Sequence, residues 1–294
     1  MKKAAIDGLI HRVTRPVDRP VVLRAGVVLV YGWLAAYALL LWGESSYIWG
    51  PTAVLQRYGA PSTVIQNQIY GVLYFPGRFP WIYGLHIAAA LSGMANLRWA
   101  AVPRAVAWLT GLMLYYAAIP AHNSGMLLIL LLAFYLIPVY TRTESPYRHA
   151  LNHTALWAVM LQVLLCYTFS AIYKFMGLQW ISGDALYYAL HIERFSQPWI
   201  LESPAWAQST LWNVLTWGAL LYQVAFPVVV LAMPRKRLWF LLIGVAMHLF
   251  IATVMNLWDF GTAMIVCYAF FLPEPKKGDC ILIKFVRLNS FRFH

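Results

Sequence analysis

Apolar residues run along this chain in long blocks, broken by short segments that collect the arginines, the prolines and the few acidic residues. A helix needs about 20 predominantly apolar residues to cross the ~30 Å hydrocarbon layer of a bilayer. Eight blocks reach or approach that length, at 21–42, 80–97, 105–120, 125–140, 150–173, 205–233, 238–257 and 260–272. The third, fourth and eighth are short, which fits tilted neighbours in a locally thinned bilayer. Two of the intervening segments are too long for simple turns. Residues 45–79, rich in proline and glycine, read as an irregular loop, and 176–204 hold a polar, aromatic stretch that predicts an amphipathic helix near 184–195. Loops of that length in a compact chain commonly form lids or line sites. The expected architecture is therefore all-α, a polytopic transmembrane bundle of about eight spans.

Composition points the same way. Of 294 residues, 62% are apolar, 16% aromatic and only 11% charged, against roughly a quarter charged in a soluble domain. Lipid must cover what one soluble core cannot bury. The net charge of +12 sits in short clusters between apolar runs, with no interleaving of basic and aromatic residues on one surface, so nucleic acid is not an expected partner. Those clusters set the topology. With a cytoplasmic N-terminus and eight spans, the inner segments carry 18 of the 22 Lys and Arg residues, as the positive-inside rule requires. A basic N-terminus (1–20), a membrane domain (21–273) and a basic tail (274–294) follow, both termini being cytoplasmic. The first run reads as a retained span, since no convincing cleavage site follows it.

Candidate chemistry lies in polar residues at bilayer depth, each of which costs about 2.5 kcal/mol or more and needs a partner, a wet cavity or a function. His248 falls near the middle of the seventh span, on one face with Ala252 and Asn256. His86 lies in the outer half of the second. Lys174 closes the fifth, on one stripe with Tyr167 and Ser170, while His122 and Asn123 form the outer turn before the fourth. Asp259 opens the eighth span, and Asp184 lies in the outer loop. On this topology Lys174, His122, Asp184 and Asp259 face one leaflet, with His86 and His248 below them, and they would converge on an outward-opening cavity. Each has a plainer alternative: Lys174 snorkels to the interface, His122 and Asn123 are polar turn residues, His248 bonds a neighbouring helix, and Asp259 caps the last helix. His149 and His153 read as anchors at the inner end of span five; His11 and His294 are tail residues. Cys166, Cys267 and Cys280 are far apart, with neither a disulfide pattern nor metal-ligand spacing.

The stretch 162–190, QVLLCYTFSAIYKFMGLQWISGDALYYAL, resembles the HTTM family, the membrane domains similar to vitamin K-dependent gamma-carboxylase. In that family an apolar helix ends in a lysine followed by a tryptophan and a glycine; Lys174, Trp180 and Gly183 stand in those places, preceded by Tyr167 and Ala171. The segment 248–273, led by His248, is similar to the family's late helix pair. The turn His122-Asn123-Ser124 is similar to its Asn/His-containing turn, and 23–42 to its opening helix. Together the likeness covers about 20–273.

The resemblance implies a site facing outward within the membrane, at which Lys174 is the base, a reduced naphthoquinone of the menaquinol or vitamin K type is the cofactor, and His122 and His248 assist catalysis. It assigns Asn123, Tyr167, Trp180 and His86 to the cofactor, with Asp184 and Asp259 toward the substrate and no metal. Transfer of an amine into a low-dielectric pocket favours its uncharged form, the one a general base needs. The chain departs from the carboxylase in three ways. A lysine doublet there corresponds to Tyr173-Lys174 here, so that either Lys174 or Phe175 stands at the base position. The turn has the order His122-Asn123, and only about 20 residues follow the last span where the carboxylase carries a large soluble region. A small peptide or lipid-soluble substrate is expected in place of a protein glutamate. The alternative is a non-catalytic accessory for maturation or export of a secreted peptide. A transporter is less favoured, because no two spans are interrupted in matched halves. A bacterial cytoplasmic membrane is the expected location.

Overall fold

The computed structural model describes residues 19–50, 64–73, 77–119, 122–142, 145–201 and 210–275. Most of the expected basic N-terminus and tail, together with His11, Arg57, Glu202, Cys280 and His294, lie outside the described residues. Among the described residues all regular structure is helical. The order is α1 (Pro20–Leu40), α2 (Ser45–Trp49), α3 (Val64–Leu73), α4 (Arg78–Gly93), α5 (Ala101–Ala117), α6 (Ser124–Leu136), α7 (Pro146–Phe175), α8 (Leu178–Ser182), α9 (Ala185–Leu190), α10 (Pro198–Leu201), α11 (Thr210–Ala232), α12 (Arg237–Thr253) and α13 (Trp258–Tyr268), the last running into a 3-10 turn, Ala269–Phe271.

Each of the eight apolar blocks holds one of the longer helices: α1, α4, α5, α6, α7, α11, α12 and α13. Three of these, α1, α7 and α11, are long and apolar enough to cross a membrane, and α6, α12 and α13 with its extension are shorter apolar helices. Helix starts follow local chemistry. Proline opens α1 and α7, where its fixed φ and missing N–H cost nothing. Asn123 caps α6 by accepting from the Gly125 N–H. The stretch expected to be helical near 184–195 is α-helical only over Ala185–Leu190. That helix stops at His191, whose Nδ1 donates back to the Tyr187 carbonyl at 2.8 Å, and a 3-10 turn, Glu193–Phe195, follows.

α1 is the central post. Val30, Tyr31 and Leu34 on it are fully buried, and it packs against α4, α6 and α13. Around it α4 pairs with α5, α7 with α11 and α12 with α13. The outward faces of α7, α11 and α12 are apolar: Leu161, Leu165, Phe169, Leu221, Val228 and Trp239 are all exposed. Such a surface would be a liability in water and is ordinary against lipid tails.

One end of the bundle is closed by cations that bond to backbone. Arg104 is 1% exposed; its guanidinium donates to the carbonyls of Gly93 at 2.8 Å, Ala95 at 2.9 Å and Val139. It thereby ties the start of α5 to the ends of α4 and α6. Arg24 donates to the Met94 carbonyl, Arg237 to that of Phe271 at 3.3 Å, and the Glu274 carboxylate accepts from the Val21 and Val22 amides at 2.8 and 3.1 Å. Helix starts (α1, α5, α12) and helix ends (α4, α6, α13) thus meet at one level, so the long helices alternate in direction. Removing Arg104 would take the donor from three carbonyls at once. Arg104→Ala is expected to lower stability by about 3 kcal/mol, and Arg104→Lys by less, when unfolding in detergent is followed by circular dichroism.

Candidate functional site

Toward the opposite end, α7, α8, α9, α11, α12 and the first turns of α6 and α13 enclose a cavity of about 800 Å³. Its wall is largely aliphatic, with Leu128, Leu215, Ile243, Met247 and Ile251 among the lining residues. The polar groups on it are few: Ser124, Tyr167, Ser170, Lys174, Trp180, Tyr222, Gln223 and His248. A mostly apolar chamber with a handful of polar groups is the usual form of a small-molecule site.

Lys174 is placed by its own helix. Tyr167, Ser170 and Lys174, three and four residues apart, lie on one face of α7 and all line the cavity. The Lys174 amine donates to Ser170 Oγ at 2.7 Å and sits 4.7 Å from the centre of the Trp180 ring, a cation–π distance. Trp180 is brought there by the turn after α7, in which its backbone amide donates to the Gly177 carbonyl at 3.0 Å. No carboxylate pairs with Lys174 among the described residues. Phe175 is half exposed and not part of the wall, so of the two neighbours Lys174 and Phe175 only Lys174 lines the chamber.

Deeper on the same wall, four side chains from four helices form a hydrogen-bonded series. His248 Nε2 lies 2.8 Å from the Tyr167 hydroxyl, which is bonded to that of Tyr268. Tyr268 in turn lies 3.1 Å from the Tyr222 hydroxyl, and Tyr222 donates to the Phe240 carbonyl at 3.3 Å. Tyr167, Tyr268 and His248 are all buried. Phe226 stacks on Tyr167, ring centres 3.9 Å apart, and Phe240 on Tyr222 at 4.4 Å. The series passes over Gly244 of α12, where an added Cβ would collide with the hydroxyls of both Tyr222 and Tyr268. Glycine is required there by the closeness of those hydroxyls.

The remaining sequence-predicted residues are next to the cavity or apart from it. His122 is held in an aromatic box, between Trp49 (ring centres 5.8 Å) and Tyr115 (5.5 Å), with Nδ1 3.2 Å from the Tyr37 hydroxyl. Asn123 accepts from the Gly125 amide at 2.7 Å and donates to the Asp259 carboxylate, which also accepts from the Phe260 amide at 2.9 Å. The pair fastens the first turn of α6 to that of α13, and Gly125 allows the approach, since a Cβ would overlap the backbone of Asp259 and Phe260. His86 is buried between α4 and α5. Thr110 Oγ1 donates to the Val106 carbonyl at 2.8 Å and so accepts from His86 Nδ1, at 2.9 Å. Asp184 accepts from Asn213 at 3.0 Å, while its neighbours Ala185 and Leu186 line the cavity. The structure therefore gathers Lys174, Trp180, Tyr167 and His248 around one chamber, places Asn123 and Asp259 in the collar beside it, and leaves His86 elsewhere. Sequence reading missed Tyr222, Gln223, Tyr268 and Gly244. Polar residues on apolar helices were a signal for the first three; for Gly244 there was none. Comparison with protein-family models, curated proteins and solved structures finds no match for this chain.

Two outcomes follow from the collar. The singles Asn123→Ala and Asp259→Ala and their double, compared by thermal unfolding, are expected to couple by about 1 kcal/mol; additive losses would contradict the clamp. Burial holds the His122 ring, in its turn outside the helices, down to about 4, against backbone and Asp259 effects that raise it. The folded ring is thus neutral where the unfolded one begins to charge. Stability is expected to be intact above about 6.5 and to fall as pH drops toward 4. His122→Phe, which keeps the stacking and removes the titration, should flatten that part of the unfolding-midpoint profile.

Proposed function

We propose that the protein is an integral membrane enzyme of eight spans, α1, α4, α5, α6, α7, α11, α12 and α13, whose cavity opens toward the outer face of a bacterial cytoplasmic membrane. The arginine-rich end, sealed by Arg24, Arg104 and Arg237, supports the orientation, because positively charged ends stay in the cytoplasm. The cavity takes a reduced naphthoquinone, and Lys174 is the base in the modification of a small peptide or lipid-soluble substrate, as in the gamma-carboxylase-like proteins that the sequence resembles. One observation carries this reading: the Lys174 amine shares a largely apolar chamber with His248 and Tyr167, with a hydroxyl and an indole ring for partners and no carboxylate among the described residues.

The residues present suit such a cofactor. An aliphatic wall accommodates ring and tail, and His248 Nδ1 and Gln223 Oε1 are buried with no partner among the described residues, which suits a hydroxylated ring. When bound, a reduced naphthoquinone with oxygen supplies the strong base of carboxylase chemistry. Lys174 accepts a proton at Nζ, Ser170 Oγ and the Trp180 ring hold that nitrogen in place, and the aliphatic wall keeps water from the reacting atoms. A second reading, a peptide-binding accessory for maturation or export, draws on the volume of the cavity, which exceeds what a bicyclic ring needs. Lys174→Ala and Lys174→Arg, reconstituted in liposomes with a reduced naphthoquinone, are expected to lose turnover of the quinol by at least about a hundredfold, the usual contribution of a general base. Undiminished turnover would refute the lysine's role, and activity that survives quinone depletion would favour the accessory reading.

A further inference from the structure

The series on the deep wall has a direction, and the direction fixes the state of His248. A tyrosine hydroxyl has one proton to give. Tyr222 gives its proton to the Phe240 carbonyl, which can only accept. The Tyr222–Tyr268 contact must then be a donation from Tyr268. That uses the Tyr268 proton, so Tyr167 donates to Tyr268. With its own proton spent, Tyr167 can only accept from the ring it touches at 2.8 Å, and His248 Nε2 must carry the hydrogen. The other ring nitrogen, Nδ1, is buried and has no partner among the described residues. A doubly protonated ring would leave an N–H donor orphaned there, which is costlier than a bare lone pair. His248 is therefore the Nε2–H tautomer, with a naked acceptor at Nδ1. Gln223, which lines the same cavity, has a second buried acceptor, Oε1, without a partner among the described residues. Unpaired buried polar atoms are rare enough to require a reason. Both atoms belong to residues that line the chamber, and a ligand that brings donors would supply what each lacks.

We propose that Tyr222 and Tyr268 are positioning residues which, acting through Tyr167, hold His248 as the Nε2–H tautomer, so that the chamber selects apolar molecules carrying a hydroxyl or N–H donor over the same molecules with that donor blocked. Gly244 belongs to the device, since only glycine lets both hydroxyls approach α12. The inference rests on the reading of this cavity as a ligand site and deepens it, because a donor-selective wall prefers a reduced, hydroxylated ring to its oxidised, carbonyl-bearing form. It does not depend on what Lys174 does.

Two readouts test it. The first is ¹⁵N NMR of histidine-labelled protein in bilayers without added ligand, the His248 signals being assigned by their loss in His248→Gln. The wild-type Nδ1 is expected to resonate as an unprotonated ring nitrogen. In Tyr268→Phe and Tyr222→Phe the chain of donations is cut, Tyr167 is free to donate to Nε2, and a protonated Nδ1 signal should appear. The second is binding of 2-naphthol and of 2-methoxynaphthalene, probes of one shape that differ in a single donor. Wild type should prefer the naphthol by about tenfold, the worth of one good hydrogen bond, and the preference should fall toward unity in both variants. A protonated Nδ1 in the wild type, a tautomer unchanged by both substitutions, or equal affinity for the two probes would overturn the proposal and leave the cavity and Lys174 readings standing. If neither probe binds, the cavity reading falls with it. Failure of the lysine reading alone would appear instead as full turnover in Lys174→Ala with the wild-type His248 signature retained.

Discussion

The hydrogen-bonded series from His248 through Tyr167 and Tyr268 to Tyr222 is the constraint on which the rest of this half of the molecule depends. It joins α12, α7, α13 and α11 through buried hydroxyls and an imidazole that bond one another. Each group must find its partner in another helix, so the four helices have one relative placement. The stacked rings of Phe226 and Phe240 close the gaps around it. A chamber remains in front of this wall because α8 and α9 turn back beside the end of α7. Their Trp180 lies against Lys174, while Leu186 is held to α11 through Thr216, whose hydroxyl accepts from the Leu186 amide at 3.1 Å.

The two ends of the bundle solve different problems. At one, buried guanidinium groups satisfy helix-end carbonyls, which suits a surface that keeps its positive charge on one side of a membrane. At the other, a collar of amide and carboxylate (Asn123 with Asp259) and an imidazole boxed by aromatic rings (His122) secure helix starts without a lysine or arginine among them. Lys174 then brings an amine, with no carboxylate beside it among the described residues, to the edge of an apolar space. That isolation, more than its position alone, gives the residue its chemical interest.

What could be read from the sequence divides along a physical line. The helices were legible because apolar runs are a property of contiguous residues, although only three of the described helices are long and apolar enough to cross a membrane; their ends shifted by only a few positions, as at 80–97, where the helix is Arg78–Gly93. The grouping of Tyr167, Ser170 and Lys174 was legible because three- and four-residue spacing places residues on one helical face. Proximity between helices was not. Tyr268 meets Tyr167 across 101 residues of sequence, and Asn123 meets Asp259 across 136; nothing local in either stretch announces the contact. For the same reason His86 and His248, both histidines on apolar helices, looked alike in the sequence, yet one bonds Thr110 between α4 and α5 and the other lines the chamber. The helix expected near 184–195 stopped early because its end is set by a side-chain bond from His191, which competes with continuation of the helix.

The central claim is that Lys174 and His248 belong to one chamber walled by the tyrosine series. An electron cryomicroscopy map of the protein in a lipid nanodisc, at a resolution that shows side chains, tests it most directly. The account requires the Lys174 amine beside Ser170 and Trp180, facing the same enclosed space as His248, with the three tyrosine hydroxyls in mutual contact behind it. A map in which Lys174 points into lipid or bulk water, or in which those hydroxyls are apart, would contradict it.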